Sequence, residues 1–358
     1  MISYLGNKNK LTYSICHHTK FPKMKALMWD NATLYASKGY SVLKYNVTSP
    51  ENGWIFVGRY MPTITQILCE KSELLSRVKR AGFHNLTLLS DNSLIGIIDK
   101  HIVKLNPNSY KFETVFKITR GTRPLSLATN PQGHVFWGEY FSNANKESVN
   151  IYCSYDSGDS WSPIHTFPQM SIRHIHNIIW DKHIESFWIF TGDEQHECNI
   201  IRADSNMKNF HYIFKGSQQI RCVAGIPRPE GLYIASDTPY EKNNIYLIDR
   251  NDKLNTVSEL PSSSLSSCEV SDLLFFSSAV EPSNINKTKN ASLMYSIDGN
   301  TWNCLVKWKK SILPSKLFQF ANITFPTGYN ASNYVAATGI SVRNEHMSTH
   351  LWKIETKV

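Results

Sequence analysis

The segment RHIH at residues 173–176 carries the side chains of this sequence that could most readily do chemistry. On a β-strand, side chains alternate between the two faces, so His174 and His176 are expected on the same face. Two imidazoles on one face can orient a substrate, transfer protons or bind a metal ion, with Asp193 or Glu139 as a third ligand. We therefore predict that His174, His176, Asp193 and Glu139 are catalytic. No cofactor is predicted, and a divalent metal at the two histidines is left open because no Cys/His spacing indicates zinc.

Other charged residues recur at matching places in the sequence. Arginines stand where strand-like runs begin, and carboxylates stand where the following runs end. If these runs are successive blades of a repeated fold, both points open on the same face. We therefore predict substrate-binding roles for Arg123, Arg173, Arg221, Asp237 and Glu281. The alternative is that they are solvated turn residues.

If the blades surround a central funnel, these carboxylates, histidines and arginines would line its mouth. Such a set of side chains is suited to binding acidic sugars. Glycoside hydrolysis needs a pair of carboxyl groups, which the ring of acids could provide. Lysis of a uronic acid needs a base and a group that neutralises the sugar carboxylate, and His176 with Arg123 or Arg221 would serve. The predicted function is a carbohydrate-active protein that acts on an acidic polysaccharide or glycan, as a glycoside hydrolase or polysaccharide lyase. The alternative is a non-catalytic propeller that binds a glycan or a protein.

The elements that must position these residues form a repeat. Seven segments share the order strand, turn, strand, and most lie about 40–50 residues apart, which is typical of propeller blades. They are 25–39, 84–100, 123–140, 173–194, 220–239, 268–282 and 318–339. We predict an all-β fold, a seven-bladed β-propeller of four-stranded blades that forms one domain over residues 1–358. The run at 10–16 is expected to complete the last blade beside 349–356, and 63–81 is the best helix candidate.

Two short motifs punctuate this repeat. SYDSGDSW (154–161) and SIDGNTW (296–302) each follow a third strand-like run and combine the turn formers Asp and Gly with a Trp. They resemble the Asp-box, or BNR repeat, of sialidase-like propellers, which implies a structural role in the hairpin between the last two strands of a blade. Residues 120–340 more broadly resemble uncharacterised bacterial BNR-repeat proteins. That resemblance implies the propeller fold and no settled activity.

The composition excludes several classes of protein. Hydrophobic residues make up 41% and charged residues 19% of the 358 residues, as in a globular chain. No run approaches the roughly 18–20 apolar residues of a membrane span. The formal charge of +9 favours an anionic partner, but the basic residues are not clustered as nucleic-acid binding would require. The N-terminus lacks a signal-peptide pattern and the seven cysteines form no CxxC pair, so we expect a cytoplasmic protein, of oligomeric state left open.

Overall fold

The computed structural model describes residues 3–8, 11–121, 123–315 and 317–357. Its elements up to the middle of the chain are β1 Ser3–Lys8, β2 Leu11–Phe21, β3 Lys25–Asn31, β4 Thr33–Lys38, β5 Ser41–Asn46, β6 Ile55–Tyr60, α1 Ile64–Lys71, α2 Glu73–Lys79, β7 Phe83–Leu88, β8 Leu94–Ile98, β9 His101–Leu105, β10 Lys111–Lys117, β11 Ala128–Thr129, β12 Val135–Gly138, β13 Val149–Ser154, β14 Ser162–Phe167, β15 His174–Asp181 and β16 Ser186–Gly192.

The second part of the chain is also built of strands. They are β17 Asn199–Asp204, β18 Phe210–Lys215, β19 Cys222–Arg228, β20 Gly231–Ser236, β21 Asn243–Asp249, β22 Leu254–Leu260, β23 Ser267–Val270, β24 Leu273–Ser278, β25 Asn290–Ser296, β26 Trp302–Lys309, β27 Asn322–Thr324, β28 Thr327–Asn330, β29 Tyr334–Ile340 and β30 Ser348–Lys357. Single 3-10 turns lie at Pro50–Asn52, Gln195–Glu197 and Gln218–Ile220. The expected all-β class is thus confirmed. Within the described ranges, no helix is long and apolar enough to cross a membrane.

The strands form six hydrogen-bonded sheets, one of nine strands, one of five and four of four, so the expected seven separate four-stranded blades are not reproduced as such. By contacts the chain divides into two compact units. Unit 1 comprises residues 1–82 and 257–358, and unit 2 comprises residues 83–256.

Unit 1 brings together the two ends of the chain. Its strands run in the orders β1-β2-β30-β29-β27, β28-β3-β4-β5-β6 and β23-β24-β25-β26. The antiparallel pairing of β2 with β30, with Ile15 opposite Ile354, confirms that the N-terminal run completes the sheet of the last repeat. Lys10, the first residue of that predicted run, lies outside the described residues.

Unit 2 is a series of meanders in which consecutive strands pair: β7 to β10, β11 to β14, β15 to β18 and β19 to β22. The second strand of each meander is apolar along its length and buried on both faces, as in FWIF of β16. The cause is packing on both sides: Phe187 meets Phe136 of the preceding meander, and Phe190 packs with Ile234 of the following one. Ion pairs between hairpins, such as Lys104 with Asp159 at 2.8 Å, add to this packing.

The predicted helix at 63–81 is present as α1 and α2, which are separated by Ser72. Thr63 caps α1 in a capping box with Gln66. The pair is held within unit 1 by polar contacts: Glu70 accepts from Arg59 at 2.7 Å, and Arg77 donates to Ser311 Oγ at 3.0 Å. The apolar side chains instead face solvent, which reverses the usual amphipathic arrangement. They are Ile64, Ile67, Leu68, Leu74, Leu75 and Val78.

Both Asp-box motifs lie in the hairpin between the third and fourth strands of a meander, as predicted. In the first, Asp156 accepts from Ser154 Oγ at 2.8 Å and from Ser160 N at 2.9 Å, and Trp161 Nε1 donates to the Gly158 carbonyl at 3.0 Å. The second motif repeats this pattern around Asp298. Gly158, with φ of +87°, packs against a neighbouring meander, and a Cβ there would meet Ile95. The motif therefore fixes a turn and its packing.

We predict that Asp156→Ala destabilises the protein by about 1–2 kcal/mol, because it removes three hydrogen bonds that hold the turn, from Ser154 Oγ, Ser160 N and Ser160 Oγ. Burial of Asp156 opposes ionisation, but the hydrogen bonds from Ser160 and Ser154 outweigh it and lower its pKa to about 2. A lowered carboxyl pKa stabilises the fold above the pKa of the unfolded chain, about 4. The difference from wild type should therefore be full above about pH 4 and fade as the pH falls towards 2.

Urea unfolding at several pH values measures this difference. Asp298→Ala should behave in the same way, whereas Glu113→Ala, an exposed carboxylate 3.7 Å from Lys111, should change stability by less than about 0.5 kcal/mol. Equal stability of Asp156→Ala and wild type at pH 7 would contradict the structural role of the motif.

Candidate functional site

The candidate site lies entirely within unit 2, around the carboxylate of Asp193. His174 and His176 belong to β15, and Asp193 follows the end of β16. The antiparallel register places His174 opposite Gly192, so the histidines and the aspartate meet at the same end of one sheet. The predicted pairing of RHIH with Asp193 is therefore observed.

Three atoms of this group converge. Asp193 Oδ1 lies 3.1 Å from His176 Nε2 and 3.4 Å from His174 Nε2, and the two Nε2 atoms are 3.1 Å apart. Both histidines are almost fully buried, with 4% and 2% exposure. The side chain of Asp193 is 23% exposed and so gives the group its access to solvent.

The other ring nitrogens fix the tautomers. His174 Nδ1 lies 2.8 Å from the carbonyl oxygen of Phe141, and His176 Nδ1 lies 3.1 Å from that of Cys222. A carbonyl oxygen can only accept a hydrogen bond, so each Nδ1 must carry a proton and donate. In the neutral form of each ring, Nε2 then presents a lone pair towards Asp193. With both rings neutral, the group is a set of three convergent acceptors; a proton added at either Nε2 makes that ring a cation that donates to Asp193.

Two arginines flank the same carboxylate. Arg173 Nη1 lies 3.4 Å from Asp193 Oδ2, and Arg221 Nη2 lies 3.1 Å from Oδ1 and 3.8 Å from Asp237 Oδ2. The side chain of Arg173 is 29% exposed, and its buried Nε has no hydrogen-bond partner among the described residues. The partial exposure of the Arg173 side chain gives a ligand access to the cationic side of the site.

The backbone of Asp193 is fixed as firmly as its side chain. Its N–H and that of Glu194 both donate to Glu197 Oε2, at 3.0 and 2.9 Å. Its carbonyl oxygen accepts from Gln218 Nε2 at 2.9 Å. Glu197 is fully buried and forms an ion pair with Lys146. The turn after β16 therefore presents the carboxylate in one orientation.

These surroundings shift the acid–base properties of the group. Burial opposes ionisation of Asp193, but hydrogen bonds and positive charge from His174 and His176 outweigh it and hold its pKa well below the usual range. Burial lowers the pKa of His176; His174 and Arg221 add to this effect, and Asp193 opposes it. Asp193 is thus a carboxylate at any physiological pH and carries no proton to donate as a general acid.

Glu139 forms a second, adjacent cluster. It is almost fully buried, accepts from Arg120 Nε at 2.9 Å in a two-point ion pair, and accepts from Asn150 N at 2.8 Å. The backbone links the two clusters, because Ile175 N donates to the Glu139 carbonyl at 3.0 Å. Tyr140 adds a ring contact to His174, with centroids 4.3 Å apart. Glu139 is thus held by an arginine and a backbone amide.

The structure brings together six of the nine predicted site residues: Arg173, His174, His176, Asp193, Arg221 and Asp237. Glu139 lies in the adjacent cluster. Arg123 is half-buried ahead of β11 in unit 2. Glu281 belongs to unit 1, where it accepts from Ser263 Oγ at 2.7 Å. Sequence reasoning missed Arg120, Lys146, Glu197 and Gln218. Arg120 lies three residues before Arg123, the arginine predicted from the sequence. Which of the two reaches Glu139 depends on the path of the chain, which the sequence does not reveal.

Gly192 is required by close packing at the site. A Cβ at this position would lie 2.5 Å from His176 Cε1 and 3.1 Å from its Nε2. We predict that Gly192→Ala displaces the imidazole and destabilises the protein by about 1–3 kcal/mol, the usual cost of overpacking. Urea unfolding of Gly192→Ala, His176→Ala and the double variant measures this. In the His176→Ala background, Gly192→Ala should leave the free energy of unfolding almost unchanged. An equal loss of stability in both backgrounds would refute the contact.

Comparison with solved structures shows a β-propeller fold. The WD40 β-propeller domain of Doa1 aligns with a TM-score of 0.56 at 9% identity, over 95% of this chain and 96% of that chain. A chain of the mitotic checkpoint complex also gives 0.56, at 10% identity and 95% of both chains. The extracellular domain of the one-component system BT4673 from B. thetaiotaomicron gives 0.52 at 10% identity, over 80% of this chain and 34% of that chain.

No protein-family model matches the chain, and a search of curated proteins finds no match. At 9–10% identity the structural likeness shows the fold alone. The predicted propeller is thereby confirmed at the level of fold class.

Proposed function

We propose that the chain is one seven-bladed propeller related to the Asp-box (BNR), sialidase-like family. Two observations support the proposal. The seven predicted repeats correspond to the four strand groups of unit 2 and the three of unit 1. Both Asp-box motifs make the same hydrogen bonds in the same hairpin of their meanders.

We further propose that this propeller binds an anionic ligand and that the Asp193 cluster is the binding site. The observation that carries the proposal is the pair of guanidinium groups, Arg173 and Arg221, held beside one fixed carboxylate. Guanidinium groups recognise carboxylates and sulfates through paired hydrogen bonds, and the partly exposed Arg173 has donors to spare. The formal charge of +9 is consistent with an acidic partner.

The details of the site favour binding over catalysis. Asp193 is ionised and surrounded by donors, so it is a poor general acid and a weak base. His176 is buried and already uses Nδ1 to hold a backbone carbonyl. The ligand would be a carboxylate or sulfate carried by an acidic glycan or by an acidic protein segment.

A carbohydrate-active enzyme is the second candidate, as either glycoside hydrolase or polysaccharide lyase. One observation favours it: two histidines and a carboxylate converge at one partly exposed point, and titratable groups that perturb one another cluster at functional sites. In such an enzyme Arg173 or Arg221 would neutralise the uronic acid. This candidate requires release of products, which binding alone does not.

We predict that immobilised protein binds polygalacturonate, heparin or poly-glutamate, and that Arg173→Gln weakens this binding at least about tenfold, or about 1.4 kcal/mol. Arg202→Gln is the matched control, because Arg202 is a 31% exposed arginine of unit 2 that pairs with Asp252 at 2.9 Å. Neutral galactan should not bind. Biolayer interferometry gives the affinities, and mass spectrometry of the incubated polymers detects products.

The outcomes separate the hypotheses. Binding without products supports the binding propeller. A comparison of the affinities for the acidic polysaccharides and for poly-glutamate then identifies the kind of partner. Products that vanish in Arg173→Gln would favour the enzyme. If no anionic polymer binds, or if Arg173→Gln binds as well as wild type, the Asp193 cluster is not the ligand site.

A further inference from the structure

We propose that His174, His176 and Asp193 bind a divalent first-row transition-metal ion. The proposal deepens the proposed function, because the metal would lie in the same cluster as the anion-binding arginines. It rests on the ligand set, its geometry and its second shell, each of which is independent of whether an anionic polymer binds.

The ligand set is one that such metals prefer. These three residues each offer one ligand atom, and the three atoms lie within 4.8 Å of one another. Two imidazoles and one carboxylate suit zinc, iron, manganese, cobalt or nickel, whereas calcium and magnesium prefer oxygen ligands alone.

The spacing of the three atoms agrees with a shared ion. Bonds of about 2.0–2.1 Å from a metal place neighbouring ligands of a tetrahedral or octahedral ion roughly 2.8–3.4 Å apart. The observed separations are 3.1, 3.1 and 3.4 Å. The same separations also fit hydrogen bonds through a proton on Nε2, so the spacing permits a metal ion and the titration decides between the two.

The second shell is also that of a metal site. A histidine that binds a metal through one ring nitrogen usually donates the other N–H to a carbonyl or carboxylate, which fixes its tautomer. His174 and His176 both do this, through Nδ1 to the carbonyls of Phe141 and Cys222. Both Nε2 atoms are thereby aimed at Asp193 Oδ1 as acceptors.

With Nδ1 protonated on both neutral rings, the two buried Nε2 lone pairs and the partly exposed Asp193 carboxylate face one another, and they repel unless a cation or a proton lies among them. A proton on either Nε2 is the competing occupant, and the zinc titration below distinguishes the two. A metal ion would add its charge to those of Arg173 and Arg221, giving four positive charges against the two negative charges of Asp193 and Asp237. With three protein ligands, coordination positions stay open, and an anionic ligand would be attracted to them.

The test is a zinc titration of the full chain after dialysis against EDTA. Isothermal titration calorimetry and elemental analysis should give one Zn²⁺ per chain, and His176→Gln and Asp193→Asn should each weaken binding at least about 100-fold, since each removes a ligand. His165→Gln is the matched control: this half-buried histidine of unit 2 stacks on Phe210, outside the cluster. Thermal unfolding of each variant checks that it is folded.

Arg173→Gln separates the two proposals, because it removes an anion-binding group but no metal ligand. It should keep its zinc while losing polymer affinity. Zinc binding without polymer binding would support the metal centre and reject the proposed function. Polymer binding without zinc binding would support the proposed function and reject the metal centre. If neither Zn²⁺ nor Mn²⁺ binds stoichiometrically, or if folded His176→Gln binds as well as wild type, the metal centre is refuted.

Discussion

The candidate site depends on the interaction of the Asp193 carboxylate with the charged and polar groups around it. A partly buried carboxylate is costly unless charges and hydrogen bonds compensate it, and here two guanidinium groups and two imidazoles surround that of Asp193. The backbone of Asp193 is held by Glu197 and Gln218, which fixes the turn that presents the carboxylate to these groups. Because the anion is fixed, the surrounding cations and lone pairs are fixed too, and the site is organised before any ligand arrives.

The meanders of unit 2 supply this site from three consecutive sheets. The register of β15 with β16 places the histidines opposite the turn that carries Asp193. The following meander adds Arg221, just before β19, and the preceding one adds Tyr140, just after β12. Each contributing residue stands at a strand end, where a side chain can leave the packed core without disturbing it. The buried second strands give the rigidity, and the strand ends carry the recognition.

Much of this arrangement could be predicted from the sequence, because it follows from strand periodicity. Alternation in RHIH predicted both histidines on one face, and the repeat predicted Asp193 beside them; the structure brings the three together although β15 has a register shift at His176. Arg120 was missed because two arginines share one loop and only the chain path decides which reaches Glu139. The buried pair of Lys146 and Glu197 carries no periodic signal. The tautomers depend on carbonyls of Phe141 and Cys222, distant in sequence, which no local pattern reveals.

The most direct test of this account is the protonation of the two imidazoles. Long-range ¹H–¹⁵N NMR spectra of histidine-labelled protein, assigned with His174→Gln and His176→Gln, report which ring nitrogen carries the proton. We predict a protonated Nδ1 on both rings with and without zinc, and a zinc-dependent shift of Nε2 alone. Protons on Nε2 with bare Nδ1 atoms would mean that both imidazoles simply donate to Asp193, and the convergent acceptor site would not exist.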